Sequence, residues 1–154
     1  MSTASFHLDT NLINDANNLK FGIVVSSWNN NITDDLLEGC LKVFYSNNVP
    51  ESNIQIINVP GSFELVYGCK IMQEKEVDVV IAIGCVIKGE TKHFDFICNA
   101  TSNGIKDLNV NGNCPVIFCV LTDNTLEQSI ARSGGKFGNK GSEAAVAAIK
   151  MALI

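Results

Sequence analysis

The chain has 154 residues, of which 46% are apolar and 18% are charged, and its formal net charge is -5. This length predicts one compact domain, and the apolar content excludes a disordered chain. The negative charge excludes a chain-wide basic surface for nucleic acid or an anionic membrane. No apolar stretch has the length of a membrane span, and the first residues lack the pattern of a signal peptide.

In chain order, residues 1–20 are polar and aperiodic, so we expect an N-terminal arm that is unstable by itself. The apolar run at 21–25 is too short for a helix and predicts a strand buried on both faces. Thr33 is the expected N-cap of an amphipathic helix that ends near Asn47.

The next strands differ in their apolar content. Residues 54–59 alternate and carry polar side chains, which predicts a strand at a sheet edge. A helix follows Pro60 and extends to about residue 75, and the very apolar stretch at 77–87 predicts a central strand. A third helix comes next, and the fourth strand is predicted at 116–121.

Two helices complete the chain. Asn124 and Glu127 resemble a capping box at the start of the first, and Gly134 is the expected stop. Asn139 is the expected N-cap of the second. The order βαβαβαβαα predicts an α/β protein, namely a three-layer αβα sandwich with a four-stranded parallel, flavodoxin-like doubly wound sheet. Residues 21–154 then form a single domain.

Six cysteines are scattered through the chain and form no C-x-x-C pair or zinc-ligand pattern. They are Cys40, Cys69, Cys85, Cys98, Cys114 and Cys119. Because a chain of this length can build a core without disulfides, we interpret them as reduced core residues. A cytoplasmic location follows from this interpretation.

In a doubly wound sheet, ligands bind at the carboxyl ends of the strands. The loops expected there are SSWNNN, PGSFE, KGETKH and TDNT. None of them is a glycine-rich phosphate loop. The first loop has a tryptophan where phosphate-binding glycines would lie, so it is typical of a platform for a planar ring.

Each candidate residue has two interpretations. Trp28 either folds back over the helix ends or stacks on a flat heterocycle. Glu64 either stabilises a helix start or accepts hydrogen bonds from ligand hydroxyls. His93 is either structural or a general acid and base.

A basic cluster interleaved with glycines consists of Arg132, Lys136 and Lys140. One interpretation is charge that complements a helix C-terminus, followed by a solvated turn. The other is a clamp for a phosphate or sugar phosphate, in which arginine supplies a planar fork.

Three segments together resemble the 6,7-dimethyl-8-ribityllumazine synthase family. They are VPGSFEL, GCVIKGETKHFDFIC and LTDNTLEQSIARSGGKFGNKG, and the resemblance extends from residue 21 to 154. It implies the condensation of 5-amino-6-(D-ribitylamino)uracil with 3,4-dihydroxy-2-butanone 4-phosphate to 6,7-dimethyl-8-ribityllumazine, phosphate and water. This is the penultimate step of riboflavin biosynthesis, and it implies no metal or organic cofactor.

The resemblance also assigns site residues. It implies that Trp28 covers the pyrimidine ring, Glu64 accepts from the ribityl hydroxyls, His93 transfers protons and Arg132 binds the phosphate. Phe118 would enter the pocket from the neighbouring subunit. The other implied substrate-binding residues are Ser62, Phe63, Cys85, Val86, Ile87, Glu90 and Thr91, with Lys136 a weaker candidate for the phosphate.

The resemblance further implies a homo-oligomer. The expected assembly is a pentamer, which closes into an icosahedral shell of sixty copies in members with a short connection like GGKFGNKG. The arm at 1–20 would then pack on a neighbouring subunit, and riboflavin synthase is an implied partner. The alternatives are a non-catalytic shell protein that binds flavin or lumazine, and another sugar-phosphate enzyme with the same fold.

Overall fold

The computed structural model describes residues 16–154. Its strands are β1 (Phe21–Ser26), β2 (Ile54–Val59), β3 (Val79–Ile87), β4 (Val116–Asp123), β5 (Ser133–Gly135) and β6 (Gly138–Asn139). Its α-helices are α1 (Asn30–Ser46), α2 (Leu65–Gln73), α3 (His93–Asn111), α4 (Leu126–Ile130) and α5 (Lys140–Ala152). In the described part of the chain, short 3-10 turns lie at Ala16–Asn18 and Glu51–Asn53.

The first four strands form one parallel sheet in the order β2-β1-β3-β4. Phe21 at the start of β1 lies opposite Ile54 of β2 and Val79 of β3. All residues of the central strand β1 are buried, which accounts for its continuous apolar run. The predicted parallel sheet, with the second strand at an edge and the third in the centre, is confirmed.

Helices cover both faces of the sheet. Phe21 and Ile23 belong to a core shared with α1 and α5, and the Phe21 ring lies 4.0 Å from that of Phe44. Val24, on the opposite face of β1, belongs to a second core with Leu65 of α2. The predicted three-layer αβα sandwich is therefore confirmed, since successive strand residues supply alternate faces.

The start of α1 differs from the prediction. The helix begins at Asn30, and its N-cap residue is Asn29, whose φ is 59°. Thr33, the predicted N-cap, is a buried residue within the helix, and its Oγ1 donates to the Ser26 carbonyl at 2.9 Å. The hydroxyl satisfies a strand-end carbonyl instead of a helix-end amide, so the prediction is wrong by one turn.

The region after β4 also differs. Thr125, not Asn124, is the N-cap of α4, where its hydroxyl accepts from Gln128 N. Helix α4 ends at Ile130, before the predicted stop at Gly134, because residues 133–139 form an antiparallel hairpin that the sequence did not predict.

The predicted cap of the last helix is confirmed. The side chain of Asn139 accepts hydrogen bonds from the backbone of Gly141 and Ser142, at 2.8 and 3.2 Å. These bonds satisfy two amides that the first turn of α5 leaves unpaired.

All six cysteines are free thiols in the structure. Four of them are buried, whereas Cys98 and Cys114 are partly exposed. Burial raises the pKa of the Cys69 and Cys119 thiols to about 12, so both are neutral at ordinary pH.

Within residues 16–154, no helix is long and apolar enough to span a bilayer. The first fifteen residues of the predicted arm at 1–20 lie outside the described residues, and its packing on a neighbour stays a prediction.

Candidate active site

Because β1 to β4 are parallel, the loops that follow them meet at one rim of the sheet. The first two loops are joined by backbone hydrogen bonds. Ser27 N donates to the Val59 carbonyl at 2.8 Å, and Trp28 N donates to the Pro60 carbonyl at 3.1 Å. The tryptophan backbone is therefore fixed against the segment that precedes Ser62.

Asn29 ties the first loop to the central strand. Its Nδ2 donates to the Cys85 carbonyl at 3.0 Å, and its left-handed backbone is one that asparagine tolerates. Sequence reasoning did not single out this residue, although it lies in the asparagine-rich loop SSWNNN. Asn29 thus turns the chain into α1 and holds the rim together.

The Trp28 side chain is 73% exposed. It therefore does not fold back to be buried over the helix ends within one chain. An indole that is fixed at its backbone and open on its faces can stack on a planar ligand.

The second loop packs against β3 through Ser62. This residue is buried, and its carbonyl accepts from Thr101 Oγ1 of α3 at 3.1 Å. A Cβ built on Gly84 of β3 would lie 2.9 Å from Ser62 Oγ, so the glycine is needed for this close approach. Ser62 is held by the fold, and its neighbours Phe63 and Glu64 are exposed at the rim.

Glu64 lies at the N-cap position of α2, just before the helix. It makes no side-chain capping hydrogen bond there, which leaves the carboxylate free for other partners. An open groove of about 390 Å³ begins beside it, between α2 and α3. The groove is lined by Phe63, Glu64, Val66, Tyr67, Lys70, Ala100 and Leu108.

The third loop follows the end of β3, where Cys85 is buried and Val86 and Ile87 are half-buried. Lys88 N donates to the Asp123 carbonyl at 2.9 Å and so joins this loop to the end of β4.

Beyond Lys88, Glu90 and Thr91 are exposed. His93 is the exposed first residue of α3, and its backbone N donates to Thr91 Oγ1 at 3.3 Å. The imidazole therefore lies in the first turn of α3, and its exposure leaves it accessible for proton transfer.

Arg132 lies after α4, next to the end of β4. Its Nε is 3.8 Å from Asp123 Oδ1, and its Nη1 donates to the Gln128 carbonyl at 2.9 Å. The guanidinium carbon is 5.1 Å from the centre of the Phe137 ring. This partly buried cation is held on several sides and is suited to binding an anion.

The three residues of the predicted basic cluster have two different environments in the structure. Lys136 Nζ lies 4.8 Å from the centre of the Phe137 ring, on which Arg132 also packs. Lys140 instead forms an ion pair with Glu143 of α5 at 2.7 Å. Arg132 and Lys136 thus share one aromatic neighbour, whereas the charge of Lys140 is compensated within its own helix.

Phe118 is not at the rim of its own chain. It lies in the middle of the edge strand β4, opposite Ala82, and its side chain is 43% exposed. The structure therefore does not bring Phe118 together with the strand-end loops of the same chain.

Sequence reasoning also missed a buried polar chain below the rim. Cys85 Sγ donates to Ser129 Oγ at 3.5 Å, and Ser129 Oγ donates to Asp123 Oδ2 at 2.9 Å. Burial raises the pKa of the Cys85 thiol, which keeps its proton for donation. The signal in the sequence was Asp123, an acidic residue at the end of a largely apolar strand.

Within residues 16–154, no three histidine, cysteine or acidic side chains lie together as metal ligands. The rim instead carries an exposed indole at Trp28, a carboxylate at Glu64, an imidazole at His93 and a guanidinium at Arg132. Such a set can stack on a ring, bind hydroxyls, transfer protons and bind a phosphate.

Comparisons with known proteins agree over most of the chain. The family model described as 6,7-dimethyl-8-ribityllumazine synthase matches residues 18–154. A 6,7-dimethyl-8-ribityllumazine synthase of Christiangramia forsetii is 60% identical over 146 residues, which cover 94% of this chain and 87% of that protein. The protein of the same name from Phocaeicola vulgatus is 48% identical over 155 residues, which cover 98% and 92% of the two chains.

Proposed function

The chain belongs to the 6,7-dimethyl-8-ribityllumazine synthase family, and from this membership we propose that it condenses 5-amino-6-(D-ribitylamino)uracil with 3,4-dihydroxy-2-butanone 4-phosphate. The products are 6,7-dimethyl-8-ribityllumazine, phosphate and water. This is a transferase reaction, the penultimate step of riboflavin biosynthesis. The observation that carries the proposal is the family match over residues 18–154.

For the pyrimidine substrate we assign the first two loops. Trp28 stacks on the ring, which its exposed indole supports. Ser62, Phe63 and Glu64 line the substrate, and Glu64 accepts from the ribityl hydroxyls. The absence of a capping bond at Glu64 supports this role. Backbone groups of residues 85–87 bind the uracil edge, although the Cys85 carbonyl already accepts one hydrogen bond from Asn29.

For the four-carbon substrate we assign the third loop and Arg132, which follows α4 and lies next to the end of β4. Arg132 binds the phosphate, with Lys136 as a weaker contributor, because a guanidinium offers paired donors to phosphate oxygens. Backbone amides of Glu90 and Thr91 complete the phosphate site. The hydrogen bond from Lys88 N to the Asp123 carbonyl supports this grouping, since it joins the third loop to the end of β4.

The reaction proceeds through imine formation with loss of one water, loss of phosphate, tautomerisation, and ring closure with loss of a second water. The amine of the pyrimidine substrate is already nucleophilic, and phosphate is a good leaving group. The protein therefore acts mainly by holding two reactants together and by moving protons at His93. This chemistry needs no metal or organic cofactor.

We assign the chain to a homopentamer that closes into an icosahedral shell, with riboflavin synthase as a partner. In this assembly Phe118 serves the site of a neighbouring subunit, which its exposure on an edge strand supports. The six free cysteines support a reducing compartment, the cytoplasm. Light scattering on the purified protein measures the particle, and one no larger than a pentamer would contradict the shell.

The test is to mix the two substrates with the protein and follow the absorbance of the lumazine together with phosphate release. We expect both products, and only when the phosphate-bearing substrate is present. Binding of the lumazine without turnover would instead identify a non-catalytic shell protein.

The same assay tests His93. His93→Ala should lower kcat by about 10²-fold without abolishing turnover, because positioning of the reactants persists when proton transfer is lost. Asn103→Ala, an exposed change on the same helix, serves as the control and should leave kcat unchanged. Complete inactivity of a His93→Ala protein that assembles normally would contradict the proposed division between positioning and proton transfer.

A further inference from the structure

Asp123 is a buried residue at the end of β4, and both its carboxylate oxygens and its backbone carbonyl have neighbours. Its Oδ2 accepts from Ser129 Oγ at 2.9 Å, and its carbonyl accepts from Lys88 N at 2.9 Å. Oδ1 lies 3.8 Å from Arg132 Nε. The carboxylate is therefore fixed by the fold and presents one oxygen to the guanidinium.

Arg132 is held on three sides. Asp123 faces Nε, the Gln128 carbonyl accepts from Nη1, and the Phe137 ring packs near the guanidinium carbon. Within residues 16–154, the guanidinium donates one hydrogen bond, from Nη1 to the Gln128 carbonyl, while Nε is at ion-pair distance from Asp123 and Nη2 has no partner, so Nη2 is open to an anion. An arginine already held in place loses less side-chain freedom when it binds a ligand.

We propose that Asp123 is the positioning residue of the phosphate site, which holds the Arg132 guanidinium so that Nη2 meets the substrate phosphate. This inference rests on the proposed role of Arg132. It assigns Asp123 no contact with substrate: the carboxylate acts through the arginine alone.

The two possible roles of the Asp123 carboxylate, neutralising Arg132 or positioning it, predict opposite effects of Asp123→Asn on KM for the phosphate substrate. The amide keeps the size of the side chain and an oxygen that accepts from Ser129, but it removes the negative charge next to Arg132. If the carboxylate only neutralised Arg132, its loss would strengthen phosphate binding and lower KM. If it positions Arg132, KM for the phosphate substrate rises.

The experiment compares the wild-type protein with Asp123→Asn, Arg132→Ala and the double variant, and measures KM for each substrate separately. We expect Asp123→Asn to raise KM for the phosphate substrate about fivefold, with KM for the pyrimidine substrate within about twofold of wild type. In the Arg132→Ala background Asp123→Asn should have no further effect. Inhibition by inorganic phosphate should weaken in parallel with the first KM.

Asp107→Asn is the matched control, since Asp107 is exposed and its carboxylate pairs with Lys106 on α3. Thermal unfolding of each variant verifies the fold. A lower or unchanged KM in Asp123→Asn, or an equal rise for both substrates, would overturn the inference. If Arg132→Ala itself leaves KM for the phosphate substrate unchanged, the proposed phosphate site fails; if it raises this KM and Asp123→Asn does not, only the role of Asp123 fails.

Discussion

At the scale of single residues, the side chains between β1 and the first turn of α1 are of two kinds: some hydrogen-bond to the ends of strands, and others, Trp28 among them, are exposed. Asn29 and Thr33 donate to the strand-end carbonyls of Cys85 and Ser26. Trp28, between the strand and the helix, makes its hydrogen bonds to the described residues through its backbone and keeps its side chain exposed. Removing the indole should therefore change the free energy of unfolding little and weaken substrate binding at the proposed site.

We expect Trp28→Ala to raise KM for the pyrimidine substrate about fivefold to tenfold, which corresponds to the roughly 1 kcal/mol of an aromatic stacking contact. Trp28→Phe should retain most of the affinity because it keeps an aromatic face. Steady-state kinetics with the phosphate substrate at saturation measures this KM.

Tyr45→Ala is the matched control, since Tyr45 is also an exposed aromatic residue but lies on α1. Its KM should equal that of the wild type. A Trp28→Ala protein with unchanged KM and a lower Tm would show that the indole has a structural role instead.

The sequence pattern predicted where candidate site residues lie in the fold, but not which groups the polar side chains around them hydrogen-bond to. The position of Trp28 after a buried strand, and of His93 at a helix start, followed from patterning alone. The pairing of Thr33 with Ser26 did not, because a threonine hydroxyl suits a helix cap and a strand-end carbonyl equally well. Only the packing of α1 on the sheet decides between these two partners.

At the scale of secondary-structure elements, Asn139 joins three of them. Its Oδ1 caps α5, while its Nδ2 donates to the carbonyls of Asp35 on α1 and Ser133 on β5, at 2.8 and 2.9 Å. Gly39 makes room for this side chain, since a Cβ there would overlap it. The cap was predictable from the sequence, whereas the bridge was not, because it needs a residue about 100 positions away.

We expect Asn139→Ala to lower the free energy of unfolding by about 3 kcal/mol, since the variant loses a helix cap and two backbone-directed hydrogen bonds. Asn139→Asp keeps the capping oxygen and loses only the two donated bonds, so its loss should be about 2 kcal/mol. Urea unfolding at one fixed protomer concentration measures both, because the stability of an oligomer depends on concentration.

The matched control is Asn111→Ala at the exposed end of α3, where Nδ2 makes one local hydrogen bond to the Asp107 carbonyl. Its effect should stay within about 0.5 kcal/mol. Equal losses for Asn139→Asp and Asn139→Ala would mean that the bridge, and not the cap, accounts for the whole contribution.

At the scale of the whole molecule, residue patterning predicted the fold, whereas the proposal that a site takes Phe118 from a neighbouring subunit rests on the family resemblance. Strand patterning predicted that the second strand lies at an edge of the sheet and the third in its centre, because a central strand of a parallel sheet has both faces covered. The pattern of apolar residues does not predict what contacts Phe118, an aromatic residue exposed in the middle of an edge strand. If Phe118 contributes to a strand-end site, as we propose, a neighbouring subunit must supply it.

This leads to a prediction for mixed assemblies. One type of protomer carries Trp28→Ala with Glu64→Ala, and the other carries Phe118→Ala. If each site takes Trp28 from one protomer and Phe118 from its neighbour, co-refolding the two types in equal amounts restores about a quarter of the sites. The recovered activity should therefore exceed that of either type alone, and lumazine absorbance measures it.

The control mixes the two types after each has assembled separately, and light scattering verifies that all particles have the same size. If Trp28 and Phe118 served the same site from within one chain, no combination of these protomers would contain an intact site. Co-refolded material would then be no more active than the separate mixture, and the site would have to be complete in a single protomer. Since Phe118 lies in mid-strand opposite Ala82, away from the strand-end loops, we expect recovery.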